Sequence, residues 1–94
     1  MPHMLVHHKV RDFGKWIPIF DRDESRRKTS GSKSARVFQN TEDPTDVFIL
    51  FEWDSAENAR KFGKSEDLKK IMEQAGVIGI PHMHIFKEVQ KSGA

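Results

Sequence analysis

The segment Val47-Phe48-Ile49-Leu50-Phe51-Glu52-Trp53 constrains this chain more than any other. Its β-branched and aromatic content makes it a strand, yet both faces of that strand are apolar. Val47, Ile49, Phe51 and Trp53 point one way, while Phe48, Leu50 and the single polar Glu52 point the other. A sheet with one wet face alternates apolar and polar residues along each strand. This strand therefore needs a cover on both sides, and 94 residues supply little material for two. The expected second cover is another copy of the same chain.

The length fits one domain over residues 1–94, with a core spanning about 4–88. A chain this small buries a modest share of its surface alone, which favours oligomerisation. Its formal charge of +2 is too small to point to nucleic acid or an anionic membrane as partner. The absence of cysteine excludes disulfides, thiolate catalysis, Fe–S clusters and Cys-ligated zinc. Met1 to His8 lacks a basic flank followed by a long apolar run, so no signal peptide is expected. No segment is long enough to span a bilayer as a helix, and a cytoplasmic location is the expectation.

Residues 4–10 read as a first strand. Asp12 reads as an N-cap, and Phe13, Trp16, Ile17, Phe20 and Glu24 recur at helical spacing in a helix to about Lys28. Pro18 inside that pattern removes a backbone donor and predicts a kink. Thr29 to Ser32 is a turn, 34–40 a second strand, and 40–46 a polar hairpin connection punctuated by Pro44. After the third strand, Asp54 with Glu57 reads as a capping box opening a helix through Ala59 and Phe62. Gly63 interrupts it and Ser65 restarts it. Leu68, Ile71, Met72 and Ala75 then form an amphipathic stripe, with Gly76 as C-cap. Residues 77–81 read as a loop and 82–88 as the last strand.

The order β-α-β-β-α-β predicts an α+β, ferredoxin-like fold. Hairpin connections and right-handed crossovers give an antiparallel sheet in the order 4-1-3-2, with both helices on one face. The third strand is then central, and its helix-free side is an exposed apolar patch of the kind that marks a contact surface.

Two known families share this topology. Phe51 to Ala59 superficially resembles the end of the third strand and following helix of RNA-recognition motifs. That motif opens the strand with a basic residue and glycine and places aromatics at alternate positions. This chain has Asp46, Val47, Phe48 and Leu50 there, and Val6 and His7 in place of the stacking aromatic of the first strand.

A second resemblance spans residues 4 to 88. It is carried by His8, Lys9, Val10, Asp12, Phe13, Trp16, Pro18, Phe20 and Asp21, by Asp43-Pro44, and by Phe51-Glu52-Trp53-Asp54. Ala75, Gly76, Val77, Gly79 and Pro81 complete it. In these the chain resembles the dimeric α/β-barrel superfamily, in particular antibiotic biosynthesis monooxygenase-like and cyclase-like small proteins. The resemblance implies a homodimeric barrel with an apolar cavity for a small aromatic or polyketide-like ligand. It implies a cofactor-independent monooxygenase or cyclase, with a non-catalytic ligand-binding or stress-related protein as the alternative. Some relatives carry a haem-linked histidine in the second helix, but Phe62-Gly63 stands there, and no histidine lies between His8 and His82.

His8 is the first candidate for chemistry, because an imidazole can take a proton from an acidic phenol or enol near neutral pH. The other reading is a structural histidine near the dimer contact. Trp16 and Phe20, four apart on the first helix, and Trp53 at the end of the central strand are expected to shape a pocket or fill the core. Glu52, on a covered face, needs a partner such as Arg36 or a raised pKa. If unpaired in a cavity it becomes a second base candidate. His82 and His84 share a strand face with Phe86. His84 is expected to contact ligand, and the pair could approach His8 in a metal-ligand cluster, although no metal is assigned. The run of Arg22, Arg26, Arg27, Lys28, Lys33 and Arg36, interleaved with Asp21, Asp23 and Glu24, reads as a solvated helix face, with an anion site in this region as an alternative that the sequence does not support.

Overall fold

Alternation on the strands and heptad-like stripes on the helices assemble into one four-stranded sheet with all helices on one side. The computed structural model describes residues 1–94. The elements are β1 Pro2–Val10, α1 Phe13–Arg22, α2 Glu24–Ser30, β2 Ser32–Asn40, β3 Asp43–Trp53, α3 Ala56–Gly63, α4 Glu66–Gln74 and β4 Val77–Lys87. The sheet runs β2-β3-β1-β4 with every neighbour antiparallel, the ferredoxin-like α+β order expected. No helix is long and apolar enough to cross a membrane.

The pleat of β3 resolves which of its faces is which. Val47, Ile49, Phe51 and Trp53 turn toward the helices and are buried, while Phe48, Leu50 and Glu52 are half-buried on the helix-free face. Cross-strand neighbours follow: Val47 faces His8, and Ile49 faces Val6 on one side and Val37 on the other. Trp16, Ala59 and Phe62 close the core from the helices.

Four local features differ from the sequence reading. The first helix breaks at Asp23 rather than at Pro18. Pro18 is accommodated inside α1, and the chain re-enters α2 after Asp23, whose amide bonds Phe20 one residue short of the α-helical partner. The N-cap of α3 is Ser55, whose hydroxyl accepts from the Asn58 amide at 3.1 Å. Asp54 instead accepts from the Asn58 side chain. The hairpin between β2 and β3 is tighter, with pairing resumed at Asn40 and Asp43. Finally, residues 77–81 belong to β4. They are tolerated there because β4 is an edge strand, where a proline's missing donor can face away from the ladder. Gly79 takes φ +74°, and the register slips so that only His8 lies between partners Ile78 and His82. This is a bulge.

The α2–β2 junction turns on Gly31, at φ +117°. A Cβ built there would lie 2.5 Å from Asp54 Oδ1, and the Gly31 carbonyl accepts from the Asp54 amide at 2.9 Å. Gly31→Ala therefore combines left-handed strain with a clash. It is expected to destabilise the fold by roughly 1–3 kcal/mol, read as a lower urea midpoint with an unchanged m-value.

Candidate active site

β1 alternates Met4, Val6, His8 and Val10 toward the helices. His8 thus enters an otherwise aliphatic row, opposite the β4 bulge, and is 5% exposed. Its ring meets the edge of Trp16, with centroids 5.6 Å apart and planes at 68°. Trp16 stacks on Phe20 at 4.9 Å and 25°, as a pair four apart on a helix should. Beyond Phe20 lies Arg27. Its guanidinium sits 3.8 Å from the Phe20 ring centroid and donates Nη1 to the Phe20 carbonyl at 2.6 Å. His8, Trp16, Phe20 and Arg27 form a run of successive contacts along one wall of a mostly apolar cavity of about 40 Å³, to which Leu68, Ile71 and Met72 of α4 also contribute.

Two polar groups on this wall lack ordinary partners. His8 Nδ1 is buried with no hydrogen bond. Burial among apolar neighbours pulls the His8 pKa below the usual histidine value, against a smaller raising effect from its backbone contact. The ring is therefore neutral at neutral pH and able to accept a proton. Arg27 is 6% exposed and has no carboxylate within ion-pair distance. Its burial lowers its pKa, with Asp23 and Glu24 opposing from further off. Asp23 is committed to Arg26, which it holds by two 2.8 Å bonds.

The seven residues singled out in the sequence divide between two faces. His8, Trp16 and Phe20 share the cavity. Trp53 is fully buried beside it, against Phe51 and Phe62, and does not line it. Glu52, Arg36 and His84 lie on the helix-free face. Glu52 does not pair with Arg36, because Arg36 registers opposite Leu50 and Ser34 opposite Glu52. Its contact is His3 on β1, at 3.8 Å. His84 registers with Leu5 and is exposed.

Strand parity also separates His8 from His82 and His84. His7, not His8, faces His82, with ring centroids 6.3 Å apart, and no group of three ligand-type side chains converges anywhere. His7 instead bonds Asp46 at 2.6 Å and stacks on Phe48. Arg27 is the site residue the sequence reading missed, having been grouped with a solvated charge run. Nothing in its sequence neighbourhood sets it apart from Arg26 and Lys28; only the contact with Phe20 does.

The sequence model of the antibiotic biosynthesis monooxygenase family matches residues 18–74. The chain belongs to that family. The matched region contains Phe20, Arg27 and all of α4, while His8 and Trp16 lie outside it. Among solved structures, this family member is similar to a candidate antibiotic biosynthesis monooxygenase from Bordetella bronchiseptica (13% identity, 95% of this chain and 97% of that one, TM-score 0.78). It is also similar to SnoaB, a cofactor-independent oxygenase from Streptomyces nogalater (10% identity, 96% and 94%, TM-score 0.76). A third is a candidate family monooxygenase from Deinococcus radiodurans (9% identity, 100% and 98%, TM-score 0.69). At such identities these likenesses carry the fold alone. No significant match is found among curated proteins.

The lowered pKa of His8 fixes the sign of a pH effect. Between the unfolded pKa, about 6.5, and the depressed folded value, only the unfolded chain takes up a proton at position 8. His8 therefore makes the protein lose stability as pH falls below about 6.5. His8→Leu removes both this proton uptake and the orphan Nδ1. The variant is expected to be at least as stable as the parent at about pH 7.5. It should gain on the parent by up to about 1.4 kcal/mol per pH unit below about 6.5. Urea unfolding of both proteins at two pH values reads the difference, which cancels the titration of the other histidines.

Proposed function

We propose that this protein is a cofactor-independent oxygenase of a small aromatic, polyketide-like enol or phenol, with His8 as its base. The observation that carries this is the neutral, buried imidazole whose Nδ1 has no partner, on the wall of an apolar cavity. Membership of the family and the fold shared with an oxygenase that needs no cofactor support it.

In this reading a substrate methylene beside a carbonyl, or an acidic hydroxyl conjugated to it, gives its proton to His8. The resulting carbanion passes one electron to dioxygen, and the two radicals combine to a peroxide. His8 returns the proton, and loss of water leaves a ketone or quinone. One oxygen atom ends in the product and one in water. Trp16 and Phe20 supply a flat apolar wall for the ring system. Trp53 acts from behind by fixing Phe51 and Phe62. Cyclisation of an enol would share the first proton transfer and omit dioxygen.

An oxygen electrode and a panel of anthrones and hydroquinones test this. Uptake is expected with the parent protein and should fall at least about a hundredfold in His8→Ala. An undiminished rate in the variant removes His8 as base. Saturable binding of panel members without oxygen uptake would instead identify a non-catalytic binding protein.

The same reading makes the protein a homodimer joined through the helix-free face of the sheet. Leu5, Phe48 and Leu50 at its centre and the exposed Phe38 and Phe86 beside them form an apolar surface that no helix or strand of residues 1–94 covers. Glu52, Arg36 and His84 then belong to that interface or to a groove within it, where Glu52 would act as a base only if left unpaired. Light scattering should find a dimer at micromolar concentration and a monomer for Leu50→Arg. A monomeric parent protein sinks the two-sided-strand argument.

A further inference from the structure

We propose that Arg27 makes the cavity selective for a flat aromatic ligand that carries an anionic oxygen, which the guanidinium binds. The inference rests on the reading of this cavity as the ligand site, but not on any turnover there.

A guanidinium always carries its charge and presents five N–H donors in a planar fork. Burying such a group without a counter-ion is unfavourable, which is why buried charges are normally paired. Arg27 has no carboxylate within ion-pair distance, and Asp23, Glu24 and Asp21 favour its charge only from further off. Its neighbour Arg26 is saturated by Asp23, and Lys28 next to it is exposed. The Arg27 side chain makes one hydrogen bond, to the Phe20 carbonyl, and its remaining N–H groups have no protein acceptor but keep access to solvent, where an anion can reach them. The stack on Phe20 orients the plane and contributes cation–π attraction, yet supplies no negative charge.

Arg27 also connects two spaces. It lines the inner cavity with His8, Trp16, Phe20 and the Arg26-bound Asp23, and it lines a surface groove with Glu24, Lys28, Lys33, Ser32 and Ser34. The groove sets three cations against one carboxylate, Glu24, and one of those cations, Arg27, stands at the end of the aromatic wall. His8 stands at the other end of that run, two rings away. A ligand lying on Trp16 and Phe20 would thus have a proton acceptor at one end and an anion-binding fork at the other. The class this fits is an aromatic acid, or an aromatic whose second hydroxyl is acidic enough to ionise. The competing role is purely structural, with Arg27 tying α2 to the C-terminal carbonyls of α1.

Benzoate and benzamide, equal in shape and differing in charge, separate the two roles. Calorimetric titration of the full chain, without any oxidisable substrate, is expected to show benzoate bound at least about tenfold more tightly than benzamide. Arg27→Gln should erase that preference. His8→Ala should keep it whatever the oxygen electrode finds, so failure of the oxygenase reading and failure of this one are distinguishable. Because Arg27→Gln can lose the fold, a second measurement uses the unmutated, nitrogen-labelled protein. The Arg27 Nε–H resonance should shift on addition of benzoate and not of benzamide. Equal affinity for the two probes, binding of neither, a preference that survives in folded Arg27→Gln, or an unmoved Arg27 resonance overturns the proposal.

Discussion

Val47, Ile49, Phe51 and Trp53 sit on a strand paired on both sides, with their side chains all but removed from water against α1 and α3. Full burial of one such side chain is worth roughly 1.5–3 kcal/mol, so these four hold the register of β3 firmly. Since the side-chain period of a strand is two, a slip by one residue would send all four outward. The neighbours inherit the choice. His8 faces the helices because Val47, its cross-strand partner, does. His7 faces the other way for the same reason, and with it Phe48, Leu50 and Glu52. The cavity and the apolar open face are thus two results of one packing decision.

Two buried polar atoms lack partners, His8 Nδ1 and Trp53 Nε1, and they do not mean the same thing. An orphaned polar atom costs about 1–3 kcal/mol. An indole offsets that with a large apolar surface, and Trp53 spends its surface on Phe51 and Phe62. An imidazole has far less to offset with. The other helix-facing residues of β1 are Met4, Val6 and Val10, any of which would fill the place of His8 without an orphan. Packing alone gives no reason for histidine there, and on the proposed reading a proton acceptor that must stay neutral and dry supplies one. The β4 bulge opposite His8 fits the same picture, since it breaks the ladder at the one residue whose chemistry stands apart.

Much of this was legible because it depends on periodicity. The order of helices and strands dictates the sheet order, and the two-sided β3 identifies its own central place. The Trp16–Phe20 spacing puts both rings on one helical face, and strand parity alone separates His7 from His8. What escaped depends on which neighbour a side chain meets across space. Arg27 looks like any member of a charged helix until Phe20 is seen beneath it. Glu52 invites an ion pair with Arg36, but the continuous register of residues 34–39 with β3 sets Ser34 opposite Glu52 and Arg36 opposite Leu50. Pro81 reads as a strand breaker, and only the edge position of β4 makes it acceptable. The join of His82 and His84 to His8 failed on parity, since His82 registers with His7 and His84 with Leu5, on the face opposite His8.

Cavity size sets the last constraint. About 40 Å³ accommodates a few waters, whereas pockets for small organic ligands run to roughly 300–1,000 Å³. A wall must yield, and the walls differ in how firmly they are held. The sheet side is fixed by hydrogen-bonded strands, and α1 by the buried Trp16 and its stack. α4 is nine residues long and contains no buried residue. It is bounded by the Lys64–Ser65 break on one side and Gly76, at φ +81°, on the other. Its contributions to the cavity, Leu68, Ile71 and Met72, are only half-buried, and methionine repacks readily. Elements with few buried contacts open at the least free energy. If the cavity is the ligand site proposed above, α4 is the wall that would have to move to admit a ring system, while the aromatic run from His8 to Arg27 is the more firmly held surface.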